Sequence, residues 1–295
     1  MLTVVAFLAV GVVLARLNSR PAGLGQTLDW FVVHVAFPAR IVVLALDLQL
    51  DAAAVVPVAV AWVLMAFLIV IVLVAARVAG WSKRTTGTLL LVVPFGNTAF
   101  LGFPMVELLL GVDHLGWAVL YDTLGSTLGL ATVGTVLLGI YGGVAVGASS
   151  ILRRVVTFPG LVALVVGLGL RLAPDLPAAI AAVLAGLGAT LVPLAILSVG
   201  MRLSPPRQVA HVGPLATGLG LRLVVAPLTV LGVMALLGVS GSQWTTSAVQ
   251  AGMSSGVVAS IMAADAGLDA ELAASLVGLG VFGAIVLAPL WVVLA

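Results

Sequence analysis

The sequence predicts an all-α membrane protein of ten transmembrane helices, laid out as two inverted five-helix repeats with helices four and nine broken near the bilayer midplane. Three observations predict it: a composition foreign to water-soluble domains, ten apolar runs, and a correspondence between the two halves. Of 295 residues, 63% are hydrophobic and 7% charged, against roughly 25% charged in a soluble domain. At roughly 20 residues per span plus a short loop, the chain has room for about ten helices and no extramembrane domain. Its 12 basic and 10 acidic residues leave a net charge of +2. The basic residues never cluster densely, which excludes nucleic acid as a partner. Zero cysteines exclude disulfides, thiolate metal sites and thiol catalysis. Oxygen ligands and three scattered histidines are what remain for a metal, and none is expected.

The apolar runs fall at about 2–15, 24–46, 53–76, 85–110, 114–141, 157–172, 176–201, 209–237, 243–265 and 271–294. They lack the two-residue alternation of a lipid-facing strand, so a barrel is excluded. The first run has no basic segment before it and no small-x-small cleavage site after Arg16; it reads as a short span rather than a signal peptide. Arg16, Arg20, Arg77, Lys83, Arg84, Arg153, Arg154, Arg202 and Arg207 fall in alternate loops on one side, whereas the other side holds Arg171. Basic residues bias short loops toward the cytoplasm, so both termini are expected outside, in a multi-pass protein of the cell inner (plasma) membrane. Asp47, Asp51, Asp113 and Asp175 fall in the outer loops.

Val13-Leu14-Ala15-Arg16-Leu17 corresponds to Leu168-Gly169-Leu170-Arg171-Leu172, and Pro38 to Pro193, each 155 residues on. Five helices per half force the second copy to enter the membrane inverted. The expected organisation is a first repeat over 1–141, a cytoplasmic linker over 142–156 and an inverted repeat over 157–295. Inverted repeats in membranes accompany alternating access, with a midplane site built by discontinuous helices. Two segments read as such breaks: Pro94-Phe95-Gly96-Asn97-Thr98, followed by Gly102 and Pro104, and Gly252-Met253-Ser254-Ser255-Gly256. Helices restarting near Asn97 and near Ser254 and Ser255 would turn positive dipole ends into a cavity and suit an anion. The competing reading is close helix packing by small residues.

Arg40, Glu107, Asp122 and Arg222 fall within spans, where a charge costs about 2.5–3.5 kcal/mol and function is the default hypothesis. Arg222 is expected to attract a carboxylate, and Asp122 to take up a proton or cation that couples transport to a gradient. Arg40 and Glu107 lie nearer the outer face and either form a structural pair or join the coupling set. Arg222 could equally neutralise Asp122. Asp265 reads as a solvated helix-end charge, His34 as a proton relay or a structurally bonded histidine, and His114 and His211 as loop residues.

Gly96-Asn97-Thr98-Ala99-Phe100-Leu101-Gly102-Phe103-Pro104 with Tyr121-Asp122 resembles a bacterial member of the auxin efflux carrier family. So do Val249-Gln250-Ala251-Gly252-Met253-Ser254-Ser255-Gly256-Val257-Val258, continuing to Asp265 and Asp269, and Leu221-Arg222 leading to Pro227. That family lies in the bile acid/arsenite/riboflavin transporter superfamily. The resemblance implies helices four and nine crossing at their breaks, a scaffold and a transport domain moving as an elevator, and an organic anion such as a dicarboxylate or an auxin-like acid. It also implies that Asn97 and the segment from Gln250 to Ser255 line the site, and it suggests a homodimer. Family members often carry proline in the ninth-helix break; here Ser254 and Ala259 stand there, and a less sharply broken segment is expected.

An intramembrane aspartyl protease would need a second carboxylate, and Gly278-Leu279-Gly280-Val281 has valine in its place. Neither a serine protease motif nor a metal-hydrolase ligand set is present, so no enzyme is expected. The expectation is a secondary carrier of small organic anions. Gly96, Asn97, Thr98, Arg222, Gln250, Ser254 and Ser255 would bind substrate; Asp122, Glu107 and Arg40 would handle a coupling ion, Na+ or H+, with no other cofactor. A channel, or a cation-coupled carrier of a neutral solute, stands as the alternative.

Overall fold

A computed structural model of the chain describes residues 2–17, 21–48, 51–143, 146–172, 176–202 and 212–295. Arg20, Asp175, Arg207 and His211 lie outside the described residues, as does the side chain of Arg202. Among those described, the regular elements are helical, and the extended backbone pairs at one antiparallel bridge, Gly96 with Ser255.

In chain order the helices are α1 (Leu2–Arg16), α2 (Leu24–Asp47), α3 (Ala52–Ala79), α4 (Lys83–Val92), α5 (Thr98–Leu110), α6 (Val112–Gly142) and α7 (Ala148–Val156). They continue with α8 (Pro159–Leu170), α9 (Ala178–Met201), α10 (Val212–Leu237), α11 (Ser242–Ala251), α12 (Val257–Asp265) and α13 (Ala270–Leu294). Six of them, α2, α3, α6, α9, α10 and α13, are long and apolar enough to cross a membrane. A seventh span arises if α7 and α8, bent 53° to each other, are taken together. This is fewer full-length spans than the ten apolar runs promised, for local reasons. The fourth and ninth runs are each cut in two, and α1 has 15 residues, about 22 Å at 1.5 Å per residue.

Several helices widen by a π turn at defined places. Those at 32–36, 98–102 and 221–225 are each followed closely by a proline: Pro38, Pro104 and Pro227. Proline lacks an N–H and its ring crowds the carbonyl four residues back, so a wider turn relieves the clash while keeping the helix going. The π turns at 121–127 and 130–134 in α6 have no proline but contain Gly125 and Gly134.

The chain forms two compact units, each drawing on both halves of the sequence. Unit 1 comprises residues 1–50 and 154–204, and unit 2 residues 51–153 and 205–295. In unit 1, α1 packs along the second half of α9 and α8 along the second half of α2. Backbone contact sets both spacings. A Cβ on Gly11 would stand 2.3 Å from the Leu197 carbonyl oxygen, and one on Gly200 2.4 Å from that of Leu8. One on Gly167 would stand 2.6 Å from the Ala45 methyl. Small residues that let backbones approach are how helices gain packing where lipid supplies no hydrophobic drive.

In unit 2, α3 lies along α6, fixed by the Trp62 indole N–H donating to the Leu124 carbonyl at 2.9 Å. A core of Leu89 to Val93 with Leu215, Val230, Leu272 and Leu276 joins α4 to α10 and α13. Asp269 caps α13 by accepting from Leu272 N–H at 3.1 Å, and its own N–H donates to the Thr88 hydroxyl at 2.9 Å. The Asp269 contacts tie α4 to the turn between α12 and α13.

Candidate functional site

Helix α4 begins on Ser82, whose hydroxyl accepts from Thr85 N–H. Val93 still has helical backbone and donates to the Leu89 carbonyl at 2.9 Å, and the ladder ends at Pro94, which has no N–H to continue it. Helix α11 stops at Ala251, just before Gly252. The two non-helical stretches then satisfy each other's backbone. Asn97 N–H donates to the Ser254 carbonyl at 2.7 Å, and Gly256 N–H donates to the Phe95 carbonyl at 2.8 Å. One residue offset relates 95 to 254, 96 to 255 and 97 to 256, so each bond is the image of the other.

The expectation of a softer ninth-helix break is corrected here: with no proline, the backbone leaves the helix from Gly252 and re-enters at Val257. Tertiary pairing supplies the hydrogen bonds that an unbroken helix would have made, so proline is not needed. Close approach favours glycine at 256, since a Cβ there would stand 3.0 Å from the Phe95 carbonyl oxygen.

Seven polar or charged residues around this pairing are buried: Asn97, Thr98, Asp122, Arg222, Gln250, Ser254 and Ser255. Arg222, on the π turn of α10, donates from Nε to the Met253 carbonyl at 2.9 Å and from Nη2 to the Gln250 carbonyl at 3.4 Å. These carbonyls lie at the unravelled C-terminus of α11, where helix backbone is left unsatisfied and partial negative charge accumulates. The phenol of Tyr121 is its other neighbour. Gly96 lies directly against the guanidinium, because a Cβ there would fall 1.8 Å from Nη2.

Asp122 is held separately. Its carboxylate accepts from the Thr98 hydroxyl at 2.5 Å and, at a long 3.5 Å, from Thr127. Arg222 and Asp122 thus have different partners, carbonyls and a phenol for the one and hydroxyls for the other. Gln250 ties the segments together: its Nε2 donates to the Thr98 carbonyl at 3.2 Å and faces that of Ala118 at 3.5 Å. Its Oε1 is buried without a partner, against Gly102. Asn97 stands at the N-cap position of α5 but makes no capping bond, and its buried Nδ2 also lacks a partner. A buried amide left unsatisfied costs about 1–3 kcal/mol, a cost that a bound acceptor would remove.

The remaining expected site residues lie elsewhere. Glu107 is half-buried on α5 in unit 2, and Arg40 is half-buried on α2 in unit 1, where Gly188 packs against its backbone. His34 stacks on Trp30 at 5.0 Å between ring centroids, with Nδ1 donating to the Trp30 carbonyl at 3.0 Å. Asp265 is exposed at the end of α12. Tyr121 and Thr127 as neighbours of the buried charges, and the Met253 carbonyl as a ligand of Arg222, escaped sequence reasoning. Thr127 follows Asp122 by five residues, a spacing that faces away on an α-helix and comes round in a π turn. The signal was the glycine in Tyr-Asp-Thr-Leu-Gly-Ser-Thr, which alone is too weak to read.

A family described as membrane transport protein matches residues 1–292. The chain belongs to this family. It is the auxin efflux carrier family that the two motif stretches resemble. An uncharacterized transporter of Methanothermobacter thermautotrophicus is 32% identical over 217 residues, covering 73% of this chain and 70% of that protein. An uncharacterized transporter of Methanocaldococcus jannaschii is 29% identical over 215 residues, covering 70% and 67% respectively. The chain is therefore a multi-pass membrane transport protein, and the paired breaks occupy the polar interior of its unit 2.

Proposed function

We propose that this protein is a secondary active transporter that moves small organic anions, carboxylates such as a dicarboxylate or an auxin-like acid, by alternating access. The observation that carries the reading is the reciprocal backbone pairing of two broken helices inside unit 2, with the Arg222 charge and the unsatisfied Asn97 Nδ2 beside it. Backbone outside a helix is tolerated at membrane depth where protein or a water-filled cavity satisfies it, and half-helices meeting at one place form the substrate sites of inverted-repeat carriers.

The ten-span reading counts α1, α2, α3, α4 with α5, and α6 as one five-span repeat, and α8, α9, α10, α11 with α12, and α13 as its inverted copy. It is supported by unit 1. There the pairing of α1 with the second half of α9 mirrors that of α8 with the second half of α2. In this reading the breaks are the crossing point of spans four and nine, and unit 2 carries substrate in an elevator-like movement. Asp122, ringed by hydroxyls, binds the coupling proton or sodium ion. Both termini face away from the cytoplasm of the inner membrane, and the protein works as a homodimer.

The test is uptake of radiolabelled carboxylates into proteoliposomes, with and without a sodium or proton gradient. Saturable uptake with counterflow of one acid is expected. Uptake that never saturates would replace the carrier by a channel, and saturable uptake of neutral or cationic solutes alone would overturn the anion assignment.

A further inference from the structure

Helix α7 has no part in the transport reading, and its pattern asks for a different partner. At 100° per residue, Ala148, Ile151, Leu152, Val155 and Val156 share one face, and Arg153 and Arg154 lie opposite, with Ser150 and Thr157 on the polar side. Among the described residues the apolar face is only partly covered: Leu152 is 63% and Val156 54% exposed, while Ile151 and Val155 are half-buried. A helix of nine residues is about 14 Å long, too short to cross a bilayer. The chain bends by 53° before α8, which begins at Pro159 and is apolar throughout. Thus α7 is about two and a half turns of polar-sided helix before the apolar α8.

We propose that α7 lies in the plane of the membrane surface, with its apolar face among acyl chains and its arginines on the headgroups of anionic phospholipids. An amphipathic helix with basic residues on its polar face binds a membrane surface in this way, through buried apolar area and attraction to anionic lipid. Charge complementarity selects the lipid class, because the side chains of Arg153 and Arg154 are both exposed on the polar face. The position gives the contact a use. The chain passes from unit 2 to unit 1 between Arg153 and Arg154, so a lipid-bound α7 anchors one of the connections that any movement between units must strain.

The native chain has no cysteine, so single-site labelling tests this directly on the full protein. Leu152→Cys and Ser150→Cys variants, each carrying an environment-sensitive fluorophore, are reconstituted with brominated phosphatidylcholine or brominated phosphatidylglycerol as quencher. Expected is strong quenching at position 152 and little at 150. Phosphatidylglycerol should be preferred over phosphatidylcholine by roughly fivefold per arginine. In the Arg153→Gln/Arg154→Gln background the preference should fall to parity while the probe at 152 stays quenched. Equal quenching at both positions, or a probe at 152 that is shielded from water yet untouched by lipid quencher, would overturn the proposal; the second result would mean that protein covers the face. Lipid preference unchanged in the double variant would remove the arginines from it. None of these readouts depends on transport, so they stand or fall apart from the carrier assignment.

Discussion

All but one of the buried polar and charged residues among those described belong to unit 2; the exception, Ser198, lies in unit 1 and donates to Asp29. Unit 1 is closed instead by glycines that let α1 meet α9 and α8 meet α2 backbone to backbone. The two units draw on corresponding parts of both halves of the chain, yet one is packed by omission of side chains and the other is filled with groups that are costly away from water. On the proposed carrier reading, this is the difference between a unit built for packing and a unit built for binding. Packing by small residues demands a fixed distance between helices, whereas buried donors, acceptors and charges are retained where a ligand or an ion completes them.

The largest effect is expected from Arg222→Met, which keeps much of the side-chain volume and removes the donors. It removes the donor to the Met253 carbonyl at the unravelled α11 C-terminus, at about 1–3 kcal/mol for a buried group left unsatisfied, whereas the Gln250 carbonyl still accepts from Met253 N–H. The detergent-solubilised protein should melt several degrees lower and lose carboxylate uptake. A variant with wild-type Tm would show that the guanidinium is not what closes that helix end.

Next comes the counterpart in unit 1. Gly200→Ala places a methyl 2.4 Å from the Leu8 carbonyl oxygen, and overpacking of this kind costs about 1–3 kcal/mol. The Tm should fall, while substrate affinity in a binding assay stays as in the wild type. If affinity falls in step with Tm, the two units do not divide packing from binding as the comparison claims.

Asn97→Ala reverses that signature. Removing a buried amide whose Nδ2 has no partner relieves a cost, so Tm should stay near wild type or rise, as happens when a site kept for function is relaxed. Uptake should be lost, together with the Tm increase that a binding ligand gives by mass action. Lost uptake accompanied by a fall in Tm as large as that of Arg222→Met would make Asn97 a structural residue.

Much of this was legible in the sequence, and the limits were physical. Composition alone placed the chain in a membrane. Apart from the breaks in the fourth and ninth, the apolar runs became helix where described, because continuous apolar stretches leave the backbone no other way to satisfy itself in lipid. The breaks at 93–97 and 252–256 were signalled by Pro94 and Gly96, and by Gly252 and Gly256. Their mutual pairing was not, since it is a tertiary bond between segments far apart in the chain. The softened second break was expected because proline was treated as the cause of breaking, whereas Asn97 N–H and the Phe95 carbonyl suffice. Arg222 stood out as a charge in an apolar run, but its use as a helix cap depended on where α11 happens to end. Thr127 was hidden for a different reason: side-chain spacing was read with an α-helical period, and α6 widens at Asp122.

The smallest expected effects come from the hydroxyls around Asp122, and they sharpen the comparison most finely because only one atom pair changes at a time. Asp122→Asn sets the upper limit: uptake should no longer respond to a sodium or proton gradient, and an unaltered gradient response would remove Asp122 from coupling. Thr98→Val deletes a 2.5 Å bond to the carboxylate, the kind of charge-assisted hydrogen bond worth about 1.5–3 kcal/mol. Its half-saturating ion concentration should shift by an order of magnitude or more. Thr127→Val deletes a contact at 3.5 Å, beyond the usual range for an O–H donor, and should shift the same constant by a fewfold at most. The order matters more than either value. If Thr127→Val has the larger effect, then Asp122 turns toward Thr127 in the ion-bound form, and the π turn carrying both residues is the part of unit 2 that rearranges when the ion binds.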